Sequence, residues 1–418
     1  MFLTGSFHRI HQDIMSIVNL DTLIIGGGIA GLWTLDRQVE RGLSAGLIES
    51  GCLGQGQSIS AQGILHGGTK YALSGLVPTG AREVSSMPER WARSLSGDSA
   101  PDLSETKVRA SECHLWRTDS VRSIVGMVGA KVGLSVTPSV IAPETRPAIL
   151  RSCPGDVALL PERVIEMPSV LETFRRTHED RLLHGSVDSI SRNKTHDFTV
   201  QVLAEGGATV TIHAKRIVLS AGRGNESLLQ MLDTHTHTPA VDRPAMQLRP
   251  LHMAMVRGTQ EALPELNGHC VDGGQTRVTI TSSTARNGDR VWQLGGRLAE
   301  EGCKRTEEAQ WLEAKNCLGA VLPDFDADSK ALTWATYRVD RAEHKTRRWA
   351  RPDGAFVESS GGIIIVWPTK MVLAPNAAKK VDAFISDDQV TQKNQVAAFA
   401  NQPTPNVAHP PWETAQWS

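Results

Sequence analysis

Near the amino end, short apolar runs alternate with an amphipathic stretch. Leu23-Ile24-Ile25, within residues 21–25, has the pattern of a buried strand, and residues 32–41 have helical spacing. A second apolar strand is predicted at residues 45–49. Because glycines join the first strand to the helix, this order predicts a strand-turn-helix-strand unit with parallel strands.

Further along the chain the pattern changes from buried runs to alternation. An apolar run predicts a strand at residues 362–367. Alternating positions predict an antiparallel sheet from residues 248–256, 277–282 and 291–294, with a covering helix at 306–318. The predicted fold class is α/β, with a Rossmann-like domain and a second α+β domain built on an antiparallel sheet.

Composition excludes several classes of protein. The 418 residues carry 44 Lys plus Arg against 45 Asp plus Glu, so there is no basic field to bind nucleic acid. The six cysteines form no C-x-x-C pair, and His235 and His237 alone make a poor metal site, so no metal is predicted and a reducing, cytoplasmic setting is expected. The apolar run at residues 363–367 is far shorter than the roughly 20 residues of a membrane-spanning helix.

The glycine turn has the spacing of a dinucleotide fingerprint. Gly26 permits the turn, Gly28 lets the backbone approach a pyrophosphate, and Gly31 lets the helix pack on the strand. The helix N-terminus, with Ile29 and Ala30, supplies N–H donors and a positive dipole. Glu49, 18 residues after Gly31, can accept hydrogen bonds from ribose hydroxyls and would repel a 2′-phosphate.

The segment after the second strand favours FAD over NAD. An NAD dehydrogenase would continue with regular βαβ repeats, whereas residues 51–68 are irregular and rich in Gly, Ser and Gln. A second Gly-x-Gly-x-x-Gly unit is absent, so a separate NAD site is not expected. Electrons would therefore come from a small substrate.

This segment also resembles a known family. Residues 54–58 and 62–71, including His66-Gly67-Gly68 and Tyr71, are similar to the flavin-contacting loop of the D-amino-acid oxidase superfamily. That superfamily includes glycine oxidase, flavin-linked glycerol-3-phosphate dehydrogenase and L-2-hydroxyglutarate dehydrogenase. The resemblance implies an FAD-dependent oxidoreductase with a small-molecule substrate and either O₂ or a carrier as electron acceptor.

The resemblance extends along most of residues 20–386. It implies that Val187 lies against adenine, that residues 217–222 close over the pyrophosphate, and that residues 368–371 face the flavin pyrimidine. The family usually has a glycine-rich turn at this last position, which Trp367 to Lys370 replace here. The predicted cofactor-binding residues are Gly26, Gly28, Ile29, Ala30, Gly31, Glu49, Ser50, Gln57, Ser58, Gln62, Gly63, Val187, Ala221, Gly222, Pro368, Thr369, Lys370 and Met371.

In this superfamily the flavin domain is discontinuous, and the sequence is divided accordingly. The predicted FAD-binding domain comprises residues 15–85, 155–230 and 335–390. Residues 86–154 and 231–334 are assigned to the substrate domain. Residues 391–418, which carry prolines and tryptophans without periodicity, form a tail that either docks on the surface or stays loose.

Candidate substrate-binding residues lie around the second of two tyrosines. Tyr71 and Tyr337 each lie in a motif-bearing segment, and Tyr337 to Arg341 occupies the region where family members hold a substrate carboxylate. An arginine there can bind a planar anion bidentately. Arg338 is the first choice and Arg341 the second. If the segment is a strand, the two arginines face opposite sides and only one can serve.

His66 is the predicted proton acceptor. Oxidation of a C–H bond by flavin transfers a hydride to N5, and an alcohol substrate must also lose its hydroxyl proton, for which an imidazole is suited. An amine needs less help, because it only has to bind unprotonated. A covalent histidyl link to the flavin is an open alternative for His66. Lys370 could stabilise the negative charge that grows near N1 and the C2 carbonyl on reduction, or could be an exposed helix-entry residue.

Three functional hypotheses follow from these features. The first is an FAD enzyme that oxidises a small carboxylate-bearing amine or amino acid. The second is an FAD enzyme acting on a 2-hydroxy acid or a polyol phosphate. The third is a flavoprotein that binds FAD without catalysing a reaction.

Overall fold

A computed structural model describes most of the chain. The described residues are 16–67, 83–118, 138–192, 197–236, 245–272, 275–346, 352, 354–368, 370–385 and 398–418. Within them, no helix is long and apolar enough to span a membrane. All six cysteines lie in these ranges and have free thiols.

Seven strands form the first sheet, and its centre is parallel. Strands β8, β2, β1, β10 and β17 run parallel in that order, with β16 antiparallel at one edge. Their apolar runs are continuous because both faces of the sheet are covered. The bounds are β1 Ser16–Ile25, β2 Ala45–Glu49, β8 Leu182–Arg192, β9 Phe198–Ala204, β10 Thr209–Leu219, β16 Phe356–Ser360 and β17 Ile363–Trp367.

Helices cover one face of this sheet. Trp33 on α1 contacts Trp91 on α2 at a ring-centroid distance of 4.5 Å and Phe174 on α3 at 5.9 Å. These rings join the apolar core formed by alternate residues of β1, β2, β10 and β17. The bounds of the helices on this face are α1 Ile29–Glu40, α2 Met87–Leu95, α3 Met167–Thr177 and α7 Ala374–Asp382.

The opposite face is covered by an antiparallel meander. Strand β9 pairs with the distal half of β8 and with the first half of β10, so the meander folds back over the parallel strands. Helix α4, Asn225–Thr236, follows β10 and contributes the buried Leu228 and Leu232 to this second core. The parallel strands therefore end between two covered faces, and their carboxyl ends are left to form a site.

The second sheet has eight strands and is antiparallel except for the β12–β4 pair. Its strand order is β15-β11-β14-β13-β12-β4-β6-β5. One face packs on helix α6, Glu307–Val321, which begins at Thr306, whose hydroxyl accepts from the Ala309 N–H. The bounds are β4 Cys113–Trp116, β5 Ser139–Val140, β6 Val157–Leu160, β11 Met246–Gly258, β12 Gly268–Asp272, β13 Gln275–Thr284, β14 Arg290–Gly295 and β15 Thr333–His344.

Four short elements complete the described chain. Strands β3 and β7 form a small antiparallel pair, helix α5 follows β14, and helix α8 lies near the carboxyl end. Their bounds are β3 Val108–Ala110, β7 Val164–Ile165, α5 Arg297–Glu301 and α8 Pro411–Thr414.

The domain division differs from the predicted one at three places. Strand β15 pairs with β11 along its whole length, so residues 333–344 belong to the substrate sheet and not to the flavin domain. Strand β6 also lies in that sheet, whereas α2, predicted to lie in the substrate domain, packs on α1. Sequence order alone did not show which sheet each edge element joins, because pairing partners lie far apart in the chain.

Residues 398–418 dock on the molecule. The Leu53 N–H donates to the Asn406 carbonyl, and the Leu53 carbonyl accepts from the Ala408 N–H. Trp412 packs with Met255 and Ala335 against the substrate sheet. Of the two alternatives for this segment, docking is therefore the one that the structure supports.

Candidate functional site

A large cleft lies where the carboxyl ends of the parallel strands meet the substrate sheet. It encloses about 1210 Å³ and extends from Val187 past the glycine turn to Lys370, beneath strands β11 and β15. This volume exceeds the roughly 300–1,000 Å³ of an ordinary small-ligand pocket. The cleft therefore has room for a dinucleotide together with a small substrate.

The glycine turn brings the backbone against two neighbours. Gly26 has φ +111°, and a Cβ there would lie 2.5 Å from the Ala221 backbone, where β1 and β10 end side by side. A Cβ on Gly31 would lie 2.0 Å from the Gly26 carbonyl oxygen, so only glycine lets α1 begin this close to β1. The first turn of α1 carries no acidic residue, which leaves its positive end available for an anion.

Glu49 and Ser58 stand on either side of this helix start. The Glu49 carboxylate accepts from the Gly27 N–H at 2.7 Å and from the Gly51 N–H at 2.9 Å, which fixes it at the end of β2. The Ser58 hydroxyl accepts from the Ile29 N–H at 3.0 Å. Both side chains line the cleft.

The turn after β10 forms the facing wall of the cleft. Asn225 is fully buried: its Oδ1 accepts from the Ala221 N–H at 2.8 Å, and its Nδ2 donates to the Leu219 and Val366 carbonyls. The Trp367 indole N–H donates to the Gly222 carbonyl at 3.1 Å. These bonds hold the turn and the end of β17 in one fixed arrangement.

Most of the predicted site residues line this one cleft. Gly31 lies behind the turn, Tyr337 lies behind the cleft wall, and Tyr71 and Thr369 fall outside the described residues. The predicted residues that line the cleft are Gly26, Gly28, Ile29, Ala30, Glu49, Ser50, Gln57, Ser58, Gln62, Gly63, His66, Val187, Ala221, Gly222, Arg338, Pro368, Lys370 and Met371.

Side chains of the 51–67 loop tie that loop to the substrate sheet. The Gln62 amide donates to the Thr279 carbonyl at 3.1 Å and the Gln293 carbonyl at 2.9 Å, and the Gln57 side-chain oxygen accepts from the Ala342 N–H at 3.2 Å. The Tyr337 hydroxyl donates to the Ser60 carbonyl at 3.0 Å and accepts from Gln293 at 2.9 Å. Burial raises the pKa of Tyr337, so its hydroxyl stays protonated as a donor.

We therefore expect Tyr337→Phe to affect stability more than turnover. Loss of the hydroxyl leaves the Ser60 carbonyl and the Gln293 amide without this partner, which lowers the free energy of unfolding by about 1–2 kcal/mol. Turnover changes by less than about threefold, because the hydroxyl proton is already donated to the Ser60 carbonyl of the 51–67 loop and does not face the substrate. Urea unfolding and steady-state kinetics check this. A loss of two orders of magnitude in kcat with unchanged stability would instead assign Tyr337 to catalysis.

The two candidate arginines lie on opposite faces of β15. Arg338 lines the cleft, but its guanidinium donates to the Cys303 and Arg305 carbonyls at 2.9 and 2.6 Å, in the segment between α5 and α6. Arg341 shares the face of Tyr337, which is the face that the 51–67 loop contacts. Its guanidinium donates to Glu300 at 3.3 Å and to the Arg249 carbonyl at 3.2 Å. The geometry favours Arg341, the second choice.

His66 lies at the substrate end of the cleft in contact with a buried carboxylate. Its Nδ1 lies 3.3 Å from Glu162 Oε2, and the Gly67 N–H donates to Glu162 Oε1 at 2.8 Å. His269 Nε2 lies 3.6 Å from the same Oε2. The side chains of Glu162 and His269 are 2% and 0% exposed, whereas that of His66 is 21% exposed.

Glu162 is charged despite its burial. Burial alone would raise the pKa of the carboxyl, but the neighbouring imidazoles of His269 and His66 outweigh it and hold the pKa well below its usual range. Neither Glu162 nor His269 was predicted from the sequence. The only local signal is a carboxylate that directly follows the apolar run of β6 and Pro161, and a histidine within the buried strand β12.

The residues present fit FAD. Glycine backbone, an α-helix N-terminus without acidic residues and a fixed carboxylate at the end of β2 are the donor and acceptor set of a nucleotide diphosphate site. The cleft continues from this set to His66 without interruption. Those residues would hold the diphosphate and ribose at one end, while the ring would extend towards the substrate sheet.

Comparison with known proteins agrees with this fit. The family model described as FAD dependent oxidoreductase (DAO) matches residues 21–368. The probable FAD-dependent oxidoreductase PA4991 of Pseudomonas aeruginosa is 36% identical over 409 residues, which cover 95% of this chain and 98% of that protein.

Solved structures share the fold. The crystal structure of PA4991 matches with a TM-score of 0.78 and 35% identity, covering 96% of this chain and 99% of that one. Glycine oxidase from Geobacillus kaustophilus matches with a TM-score of 0.60 and 14% identity, covering 91% and 96%. L-alpha-glycerophosphate oxidase from Mycoplasma pneumoniae, solved with FAD bound, matches with a TM-score of 0.59 and 13% identity, covering 94% and 97%.

Proposed function

The chain belongs to the DAO family of FAD-dependent oxidoreductases, and from this premise we propose that it oxidises a small carboxylate-bearing amine or amino acid. Family membership makes it an enzyme that uses FAD, so the hypothesis of a flavoprotein without catalytic activity is set aside. The substrate class is the part that we propose here, together with O₂ or a carrier as the electron acceptor.

One observation carries the proposal. The dinucleotide turn and one face of the substrate sheet open into the same cleft, and that face carries Arg341 with Glu300 beside it. A guanidinium can bind a carboxylate through two parallel hydrogen bonds, and Glu300 offers a second, opposite charge to a zwitterion. An amino acid presents both charges, whereas a hydroxy acid presents only one.

Side chains of this protein orient the substrate, accept its proton and exclude water. When bound, FAD supplies the acceptor for a hydride, at its N5 atom. Arg341 orients the substrate by its carboxylate, and His66 accepts the proton that the substrate must lose from its ammonium or hydroxyl group. The 51–67 loop, bonded to the sheet through Gln62 and Tyr337, excludes water from this end of the cleft.

A second candidate substrate class is a 2-hydroxy acid or a polyol phosphate. The observation that favours it is the contact between His66 and the buried Glu162, since a carboxylate-paired imidazole is the base that a hydroxyl proton requires. The structural neighbours include both classes by name: glycine oxidases and an L-amino acid deaminase on one side, a glycerophosphate oxidase on the other.

Anaerobic mixing separates these candidates. Purified holoenzyme is combined with amino acids, N-methyl amino acids, 2-hydroxy acids and glycerol phosphate, and loss of the visible absorbance of the flavin is followed. We expect rapid bleaching by at least one amine-bearing carboxylate. Bleaching only by hydroxy acids or glycerol phosphate would support the second candidate, and bleaching by none would contradict both.

We expect Arg341→Met to weaken substrate binding more than any later step. Removal of a charge-assisted bidentate pair raises KM for the carboxylate substrate by about 10–100-fold, with a smaller change in kcat. Steady-state kinetics with the substrate found by anaerobic mixing check this result.

Arg338→Met is the comparison variant, because Arg338 has the same charge and lies on the same strand, but its guanidinium is bonded to the Cys303 and Arg305 carbonyls. We expect its KM to stay within about twofold of that of the unaltered protein. A large rise in KM for Arg338→Met together with none for Arg341→Met would reverse the assignment.

A further inference from the structure

Two buried side chains of the substrate domain lie behind His66: Glu162 contacts His66, and His269 contacts Glu162. We propose that Glu162 and His269 act as positioning residues that hold His66 with its proton on Nδ1, so that Nε2 is the proton acceptor for the substrate. This inference rests on the proposed function, because it describes how the base of that reaction is prepared.

The first step is the polarity of the contact between His66 and Glu162. An ionised carboxylate can only accept hydrogen bonds, so the ring atom that faces it must carry a proton. That atom is Nδ1, at 3.3 Å from Oε2. In a neutral imidazole the other nitrogen then bears the lone pair, and His66 lines the cleft where the substrate binds.

The second step is the rigidity of Glu162. Its Oε1 accepts from the Gly67 N–H at 2.8 Å, next in the chain to His66 itself. The carboxylate is thus held by the same loop that carries the imidazole, and its side chain is only 2% exposed. Rotation of either group would leave a buried charge without hydrogen bonds, which is costly.

The third step is the role of His269. Its Nδ1 lies 2.9 Å from the Thr279 hydroxyl, which can donate to it, and its Nε2 lies 3.6 Å from Glu162 Oε2. Thr279 therefore directs the Nε2 proton of His269 towards the carboxylate. The rings of His66 and His269 lie with centroids 5.4 Å apart, on two sides of one oxygen.

The fourth step is the charge balance when His66 accepts a proton. Around Glu162, the titratable and charged groups of the described chain are the two histidines, Cys113 and, on the neighbouring strand, Arg109. Burial raises the pKa of the Cys113 thiol, so it adds no charge. Protonation of His66 then places a positive charge beside the buried carboxylate, which stabilises the imidazolium as it forms.

Glu162→Gln tests the carboxylate that lies between His66 and His269. We expect kcat to fall by about 10–100-fold for a hydroxyl substrate and, as in His66→Asn, by less than about tenfold for an amine, with KM within about twofold, since substrate contacts stay while the base loses its fixed tautomer. The acidic limb of the kcat/KM profile should move to lower pH, because the imidazolium loses its neighbouring negative charge. Glu166→Gln, whose side chain pairs with Lys107 near the surface, is the control and should leave both profiles unchanged.

Two substitutions at His269 separate positioning from packing. His269→Gln keeps an N–H donor near the position of Nε2, and we expect it to retain at least about half of the kcat. His269→Leu removes the donor at similar volume and should lower kcat by up to about tenfold for a hydroxyl substrate, and by less for an amine, with the acidic limb displaced. Equal kcat losses for both variants, without a change in the pH profile, would contradict a positioning role.

A readout without substrate keeps this inference separate from the proposed function. In FAD-loaded protein with ¹⁵N-labelled histidine, the His66 resonances, assigned by their absence in His66→Asn, should show the Nδ1-protonated tautomer. In Glu162→Gln the two tautomers should mix. An Nε2-protonated His66 in the unaltered protein would overturn the inference, whichever substrate the enzyme oxidises.

A cation shared by the three side chains is the competing arrangement, since their donor atoms all lie within 4.8 Å of one another. Dialysis against a chelator, followed by metal analysis and turnover measurements, distinguishes the two. We expect turnover to be unchanged by the chelator. A loss that added Zn²⁺ restores, absent in Glu162→Gln, would overturn the positioning role.

Discussion

Gly31→Val should give a protein that is purified without FAD. A Cβ at this position would lie 2.0 Å from the Gly26 carbonyl oxygen and 2.7 Å from the Ser220 hydroxyl, so α1 cannot keep its place. Backbone, unlike a flexible side chain, cannot move aside without moving the whole glycine turn. Since we propose that this turn and the N-terminus of α1 hold the diphosphate, the displacement should remove the cofactor site itself.

The expected loss has two measurable parts. Overpacking at this contact lowers the free energy of unfolding by about 1–3 kcal/mol. The visible flavin absorbance of the purified protein should be absent, and added FAD should not raise its melting temperature, because no binding free energy is gained by the folded state.

Gly319→Ala is the matched control for this substitution. Gly319 lies on α6, and a Cβ there meets no heavy atom of the described chain within 4 Å. Alanine in a helix should raise the free energy of unfolding by up to about 1 kcal/mol and leave FAD bound. Retention of FAD by Gly31→Val at the level of this control would show that the diphosphate lies elsewhere.

His66→Asn should give the second large effect, with a size that depends on the substrate class. A hydroxyl proton needs a base during hydride transfer, so turnover of a 2-hydroxy acid should fall by about 10²–10⁴-fold. An amine can lose its proton to water before binding, so for an amino acid the loss should be below about tenfold and should shrink as the pH rises. Single-turnover flavin reduction across a pH series measures both.

His409→Asn, in an exposed position on the docked carboxyl segment, is the control and should leave flavin reduction unchanged. Equal small losses for every substrate and at every pH would remove His66 as a base. Loss of the flavin itself would point instead to the covalent histidyl link that the family resemblance allows.

The local parts of the fold could be predicted from the sequence. Strand β2 was predicted with the bounds that the structure gives, and the predicted bounds of α1 differ from the observed ones by at most three residues. Both elements belong to a βαβ unit, whose pattern lies in consecutive residues. The glycine turn and Glu49 lie together for the same reason. Most predicted cofactor residues consequently line one cleft.

The non-local parts could not be predicted in the same way. Glu162, just after β6, and His269, on β12, meet His66 from positions about a hundred and two hundred residues away in the chain. No periodicity links such positions. For Arg338 and Arg341, strand parity predicted that only one can serve. Which one depends on the sheet that β15 joins, and β15, predicted to lie in the flavin domain, pairs with β11 of the substrate sheet.

The central claim is that the substrate carboxylate binds at Arg341 in the same cleft that holds FAD. The most direct test adds an inert analogue whose reacting hydrogen is replaced by methyl, α-aminoisobutyrate or 2-hydroxyisobutyrate, and records the visible spectrum of the bound flavin. We expect a saturable spectral change that competes with substrate and is weakened about 10–100-fold in Arg341→Met. Competitive inhibition without any change in the flavin spectrum, equal in both proteins, would contradict the claim.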